Sequence, residues 1–245
     1  MQNNDELIYG KNPVTELLKK KEGVDTVFIS ESLNPSTQNY YIALAKECGA
    51  VVKKVHPVKL KNMCGSDNHQ GIAAYASTVE YVSIAQILRN AEEKGESPFI
   101  VLCDGIEDPH NLGAIIRSAY LMGAHGVIIP KRRAVGLTTT VGKASAGAIE
   151  HMRVAKVTNL SATIDELKER GLWFYCADMG GEAYYSTDMK GAVGLVLGSE
   201  GFGVSRLVKE KCDFVVSIPL YGSVNSMNVS CAAAVIMAEI AKQRN

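Results

Sequence analysis

Asn111 and Arg117 are the first residues of this sequence whose types and spacing suggest chemistry. They lie in the segment D-G-I-E-D-P-H-N-L-G-A-I-I-R, which runs from a strand-like stretch into a helical pattern. Asn111 is well placed to cap that helix. Arg117 projects away from the apolar stripe, near Gly113 and Ala114, and a long cation above small residues leaves room for a phosphate-bearing ligand. The alternative is a capping asparagine with a solvent-facing arginine, and this segment alone favours neither.

A glycine-rich segment, residues 196–205, carries the carboxylate of Glu200. Its three glycines, Gly198, Gly201 and Gly203, allow the backbone to approach a ligand closely. The segment lacks the Lys-Ser/Thr pair of a P-loop and does not match G-x-G-x-x-G. Glu200 would repel a phosphate but would accept a hydrogen bond from an amine or a hydroxyl. An ordinary turn between a strand and a helix is the alternative.

Four polar side chains stand at the beginning of an almost wholly apolar helix near the end of the chain. They are Asn225, Ser226, Asn228 and Ser230. The first turn of a helix offers unpaired N–H groups and a positive partial charge, which makes it a natural ligand seat. One of the four is expected to be the N-cap, but four exceed what a cap requires. Met227 among them either belongs to the core or lines an apolar pocket.

These three segments follow strand-like stretches in a region that alternates strand and helix patterns from Phe99 onward. The predicted strands are Phe99–Cys103, Gly126–Ile129, Met152–Val157, Trp173–Ala177, Val193–Leu197 and Phe214–Ile218. Apolar strands that alternate with helices predict an α/β fold, with a parallel sheet covered on both faces. Ligands of such sheets bind at the carboxyl ends of the strands. The sequence therefore predicts a ligand site at that edge.

The chain before this region predicts a smaller α/β domain. Strand and helix patterns alternate from Leu7 to about residue 76, and a charged run with Gly95 and Pro98 closes the stretch that follows. We expect domains at 1–76 and 98–245, joined by a linker at 77–97.

Composition limits the class of protein. Lys+Arg and Asp+Glu both number 26, so the net charge of zero argues against a protein coated in basic charge. The six cysteines are scattered without metal-ligand spacing, which predicts free thiols, a reducing cytoplasm and no metal site. We see no signal peptide and no apolar run long enough to span a bilayer.

Taken together and in order, the three segments resemble the motifs of the SpoU/TrmH family of RNA ribose 2′-O-methyltransferases, within the SPOUT class. The matching stretches are N-L-G-A-I-I-R from Asn111, L-G-S-E-G from Leu197, I-P-L from Ile218 and S-M-N-V-S from Ser226. Residues 7–76 are similar to the L30e-like RNA substrate-binding domain of one branch, with Y-G at Tyr9 and H-Q-G-I at His69. This layout most resembles the bacterial enzymes that methylate a guanosine ribose in 23S ribosomal RNA.

The resemblance implies a Rossmann-like catalytic domain with a trefoil knot at about 193–245, a homodimer with its active site completed at the interface, and S-adenosylmethionine as the cofactor. Met227 stands where leucine is usual, and Asn12 where histidine is expected. The implied cofactor-contacting positions are Gly198, Ile218 and Met227, largely through backbone groups, with Leu197, Leu220 and Asn228 nearby.

The resemblance also implies catalytic roles. Family proposals make the arginine at the position of Arg117 a general base for the ribose 2′-hydroxyl. A guanidinium normally stays protonated, so we expect Arg117 instead to bind the adjacent RNA phosphate and hold the 2′-oxygen. Asn111, Glu200, Ser226 and Asn228 would order the loops, the nucleotide and Arg117.

Three other functions are alternatives to this one. A tRNA ribose methyltransferase shares these motifs, although the first domain favours ribosomal RNA. A non-catalytic RNA-binding protein with a retained knot is disfavoured by the intact Asn111, Arg117, Glu200 and Asn228. A nucleotide-dependent oxidoreductase is disfavoured by the missing dinucleotide fingerprint.

Overall fold

The computed structural model describes residues 7–19, 24–76, 79–223 and 226–245. The chain forms two compact units, one of residues 1–80 with 136–139 and one of residues 81–135 with 140–245. All six cysteines lie within these ranges, and none forms a disulfide bond. Within the described ranges, no helix is both long enough and apolar enough to cross a membrane.

The first unit is a four-stranded mixed sheet with helices on both faces. Its elements are β1 (Leu7–Tyr9), α1 (Lys11–Lys19), β2 (Val24–Ser30), α2 (Pro35–Glu47), β3 (Val51–Val55), α3 (Pro57–Cys64) and β4 (Ile72–Ala76). The strand order is β1-β4-β2-β3, with β2 and β3 parallel and β4 antiparallel to both its neighbours. Strand β2 is buried along its whole length because Val27 and Ile29 pack with α1 and α2 while Phe28 packs with α3.

The second unit contains a six-stranded sheet. Its strands are β5 (Phe99–Asp104), β6 (Gly126–Pro130), β7 (Val154–Val157), β8 (Trp173–Ala183), β9 (Val193–Gly198) and β10 (Phe214–Ser217). Its helices are α4 (Ile84–Glu93), α5 (Pro109–Leu121), α6 (Thr139–Ala144, whose first residue is grouped with the first unit), α7 (Leu160–Lys168), α8 (Arg206–Lys209) and α9 (Val229–Arg244).

All neighbouring strands of this sheet are parallel, in the order β10-β8-β9-β5-β6-β7, which confirms the predicted parallel sheet. Alternate residues of β5 point to opposite faces. Ile100 and Leu102 pack with Ile164 and Leu167 of α7 on one face. Helix α9 contacts α5 and β9, and α5 contacts β6, so these two helices cover the sheet's other face. Because β5 and β9 are parallel neighbours, their carboxyl ends lie side by side.

Residues 77–97, the predicted linker, include the helix α4. A capping box starts α4, since Gln86 N–H donates to the Ser83 hydroxyl and Ser83 N–H donates to the Gln86 side chain. Ile87 is fully buried among core residues of the second unit. The second unit therefore begins at Tyr81, before α4, because the apolar stripe of this helix packs into its core.

Helix α9 crosses the sheet from its carboxyl edge to its amino edge. At its end, the Arg244 guanidinium donates hydrogen bonds to the carbonyls of Gly191 and Ser97, which precede β9 and β5. The same guanidinium lies 5.7 Å from the centre of the Phe99 ring. This attachment fixes one end of α9, and the other end begins at the carboxyl edge with Asn228.

Candidate active site at the carboxyl edge of the parallel sheet

Helix α5 begins three residues earlier than the sequence predicted. Its N-cap is Asp108, whose carboxylate accepts a hydrogen bond from His110 N–H at 2.7 Å, and Pro109 occupies the first helical position. Proline suits that position because its fixed φ is helical and it has no N–H to satisfy. The prediction that Asn111 caps this helix is therefore wrong. Asn111 lies inside the first turn, 8% exposed, with its amide free for other partners.

The loop after β9 is a closed turn that carries Glu200. Ser199 N–H donates to the Gly203 carbonyl at 3.0 Å, and Gly203 N–H donates back to the Ser199 carbonyl at 2.9 Å. Gly198 lies directly beneath, where a Cβ atom would stand 2.1 Å from the Gly203 carbonyl carbon and 2.2 Å from Val204 N. Only glycine fits this contact, so the loop folds back onto the end of its own strand.

Asn228 is the N-cap of α9, as expected of one residue in this segment. Its Oδ1 accepts hydrogen bonds from Ser230 N–H at 3.0 Å, Cys231 N–H at 3.3 Å and the Ser230 hydroxyl at 2.6 Å. The cap thus uses the carbonyl oxygen of the amide and leaves its NH₂ group facing outward from the helix. Asn225 lies outside the described residues.

These three segments meet in one hydrogen-bonded cluster, which we call the polar triad: Asn111, Glu200 and Asn228. Asn228 Nδ2 donates to Asn111 Oδ1 at 2.9 Å and to Glu200 Oε1 at 2.6 Å, and Asn111 Nδ2 donates to the same Glu200 oxygen at 3.2 Å. Glu200 Oε2 has no hydrogen-bond partner in the described part of the chain. The triad holds the beginning of α5, the loop after β9 and the beginning of α9 together, and it leaves one carboxylate oxygen for a ligand hydroxyl or amine.

Arg117 lies apart from the triad. It is exposed, and its guanidinium forms no hydrogen bond or ion pair with any described residue. Six residues along an α-helix correspond to about 9 Å of rise, so Arg117 is well separated from Asn111. A Cβ at Gly113 would lie 2.5 Å from the Ala144 Cβ and 2.8 Å from the Val141 carbonyl oxygen. The room expected above Gly113 is therefore absent, because α6 occupies it.

The other predicted ligand-contacting residues form no part of the triad. Leu197 is 1% exposed within β9, so its side chain faces the core. Leu220 and Met227 are 39% and 40% exposed, and Ile218 is half-buried. The backbone groups of Ile218, Leu220 and Met227 form no hydrogen bond with the described residues. Ser226 is exposed and its hydroxyl also lacks a partner among them.

Sequence comparison identifies both units. Residues 98–238 match the SpoU rRNA Methylase family, and residues 7–82 match the domain described as RNA 2'-O ribose methyltransferase substrate binding. The chain belongs to the SpoU/TrmH family of RNA methyltransferases.

Individual members of the family match nearly the whole chain. A Bacillus subtilis protein named as a TrmH family tRNA/rRNA methyltransferase, YacO, is 45% identical over 100% of this chain and 98% of its own length. The SpoU methyltransferase AviRb of Streptomyces viridochromogenes, solved with AdoMet, has a TM-score of 0.62 at 23% identity, covering 97% of this chain and 89% of its own. A solved RNA 2'-O ribose methyltransferase has a TM-score of 0.54 at 27% identity, covering 97% and 88%.

One residue of the site in this SpoU/TrmH protein was missed by sequence reasoning. Asp104, at the end of β5, is 8% exposed and accepts a hydrogen bond from Ser205 N–H at 2.8 Å. This bond ties the far end of the loop after β9 to β5. The sequence signal that could have found Asp104 was an aspartate at the end of an apolar strand, because a carboxylate buried there needs a partner.

We expect Asn228→Ala to lower the free energy of unfolding by about 1–2 kcal/mol, because it removes the cap of α9 and two triad hydrogen bonds. Urea denaturation followed by circular dichroism measures this loss. Ser230→Ala is the matched control, since it removes one hydroxyl from the same cap and leaves both backbone bonds; we expect it to cost below about 0.5 kcal/mol. Equal stability of the two variants would contradict a structural role for the triad.

Proposed function

We propose that this protein transfers a methyl group from S-adenosylmethionine to a ribose 2′-hydroxyl of RNA, and that the target is a guanosine in 23S ribosomal RNA. The observation that carries this proposal is the polar triad. It joins residues 89, 117 and 28 positions apart in the chain at one edge of the sheet. These residues belong to the three motifs by which the sequence resembles the family.

The segments assigned to S-adenosylmethionine suit an adenosyl ligand. Leu220 and Met227 offer partly exposed apolar surface to a purine ring. The unpaired backbone groups of Ile218, Leu220 and Met227 are available for its polar edge, as in most small-molecule sites. Gly198 and Leu197 contribute backbone, because one has no side chain and the other is turned into the core. We further propose that the segment 193–245 is knotted, as the family resemblance implies.

Bound S-adenosylmethionine would supply an activated methyl group on a sulfonium, so the protein's task is to orient the acceptor and assist loss of its proton. Glu200 Oε2 is available to accept a hydrogen bond from the nucleotide. A guanidinium donates hydrogen bonds and has no acceptor in proteins, so we assign Arg117 the adjacent RNA phosphate and the developing charge on the 2′-oxygen, with the proton leaving late or to water. Holding the acceptor oxygen in line with the methyl group lowers the barrier by several kcal/mol.

We also propose that the active site is completed by a second copy of the chain. Arg117 is not hydrogen-bonded to the triad, and its guanidinium has no partner among the described residues. Helix α9 buries Ala233, Ile236, Met237 and Ile240, while Ala232, Ala234 and Val235 on its other faces are only half-buried. A second chain packed on these small apolar residues would supply an Arg117 to the neighbouring triad.

The choice of ribosomal RNA rests on the first unit, which matches the substrate-binding domain of the family, and on a catalytic match described as an rRNA methylase. The name of the B. subtilis relative includes both tRNA and rRNA, and a tRNA ribose methyltransferase is the second candidate.

Incubation with methyl-labelled S-adenosylmethionine and separate 23S, 16S and tRNA fractions tests the proposal. We expect label in 23S RNA at a guanosine whose 3′ linkage resists alkaline hydrolysis. Label confined to tRNA would overturn the ribosomal assignment. RNA binding without transfer to any fraction would overturn the enzymatic function itself.

A further inference from the structure

A run of three cations, Lys131, Arg132 and Arg133, follows β6 at the same sheet edge as the polar triad; we call it the basic loop. Its position is fixed at both ends. Lys131 N–H donates to the Val157 carbonyl at the end of β7 at 2.8 Å, and Val135 N–H donates to the Ile106 carbonyl at 3.0 Å. Ile106 belongs to the turn that leads from β5 into α5. The basic loop therefore spans the carboxyl edge from β7 to the segment that carries Asn111.

The cations of the basic loop have no protein partners. Arg132 and Arg133 are exposed, Lys131 is half-buried, and none of the three side chains forms a hydrogen bond or ion pair with a described residue. Three lysines elsewhere in this unit, by contrast, are paired with carboxylates at 2.6–2.8 Å. Those pairs are Lys168–Asp213, Lys209–Asp178 and Lys211–Asp165.

The stretch around the basic loop has no compensating negative charge. Between Asp108 and Glu150 the chain contains no Asp or Glu. Its Lys and Arg residues are Arg117, Lys131, Arg132, Arg133 and Lys143. Because the whole chain has a net charge of zero, the five positive charges of this stretch are balanced only by acidic residues elsewhere in the sequence.

Arg133 has a backbone conformation that arginine rarely adopts. Its φ of 55° lies in the left-handed region, which costs an L-residue with a Cβ roughly 1 kcal/mol. Asparagine and glycine tolerate this region better. The chain nevertheless has a long cation at this position.

We propose that Lys131, Arg132 and Arg133 bind phosphates of the RNA backbone beside the target nucleotide. Contacts of this kind fix the register of the nucleic acid and do not read its bases. The proposal rests on the proposed function for its RNA ligand. It adds a binding surface at the catalytic edge, distinct from the triad and from the first unit.

The test is the salt dependence of RNA binding by the full chain with Arg132→Gln and Arg133→Asn combined. Asparagine keeps the left-handed backbone of residue 133 accessible, so the loop stays folded while both charges are lost. For single-stranded contacts, we expect the slope of log K against log salt to become less negative by about 1.4, which is twice ~0.7 per phosphate. We expect KM for RNA to rise about tenfold or more, with the Kd for S-adenosylmethionine unchanged.

Two further variants make the outcome specific. Arg132→Lys with Arg133→Lys keeps both charges and should restore the salt slope, which a purely structural role would not explain. Arg170→Gln removes one cation, 54% exposed, before β8 at the amino edge, and should leave the slope unchanged. An unchanged slope in the Gln/Asn variant overturns this proposal. It does so even if sedimentation shows that the variant has a different oligomeric state. Because the slope needs binding alone, it is independent of whether the wild-type protein transfers a methyl group.

Discussion

Replacing Arg117 with alanine is expected to lower kcat for RNA methylation by on the order of 10²–10³-fold, the typical loss when one group that stabilises developing charge is removed. The Kd for S-adenosylmethionine should remain within about twofold, because Arg117 lies outside the segments assigned to the cofactor. Single-turnover methylation and isothermal titration calorimetry measure the two quantities. Substantial turnover by the variant would refute the assigned role.

Controls separate the loss of function from a loss of fold. Arg117 is exposed and unbonded to described residues, so alanine should change the stability by less than about 0.5 kcal/mol. Arg89→Ala, at an exposed position on α4, removes the same charge from a helix outside the site and should retain full activity. Arg117→Lys should recover only part of the rate, because a lysine cannot contact a phosphate and the 2′-oxygen with a rigid two-pronged geometry.

The parallel sheet was predictable because buried parallel strands are continuous apolar runs. The predicted Phe99–Cys103 and Val193–Leu197 each lie one residue short of the observed β5 and β9. Strand β8 was predicted to end at Ala177 and continues to Ala183. Its last residues, D-M-G-G-E-A, are polar and glycine-rich. Glu182 and Ala183 belong to the strand because Val216 and Ser217 of β10 pair with them, after a register shift that skips the residues before Glu182. This pairing is a tertiary effect that a local pattern does not encode.

The site was predictable in composition but not in geometry. Helical periodicity placed Asn111 near the beginning of α5. Two candidate caps, Asp108 and Asn111, compete for this helix, and α5 begins at Asp108 because Pro109 follows it at the first helical position. The meeting of Asn111 with Asn228 joins positions 117 residues apart, which no local pattern encodes. The resemblance to the family, not propensity, grouped these residues.

A second large effect is expected from Gly198→Ala, which should raise the Kd for S-adenosylmethionine by at least about tenfold, the equivalent of 1.4 kcal/mol. The new Cβ would meet the backbone of Gly203 and Val204, which cannot rotate away. The loop after β9 must then shift and carry Glu200 away from Asn228, which breaks the 2.6 Å hydrogen bond that joins it to α9. Calorimetric titration of the cofactor measures the change.

Gly194→Ala is the matched control on the same strand. Its Cβ would collide with the Phe174 ring at 2.3 Å, in the core and away from the loop. Overpacking of this kind costs about 1–3 kcal/mol of stability, so both variants should unfold at lower urea concentration than the wild-type protein. Only Gly198→Ala should lose cofactor affinity while still folded, because only its clash lies against the loop that carries Glu200. Equal cofactor affinity in the two folded variants would show that the loop does not form the binding site.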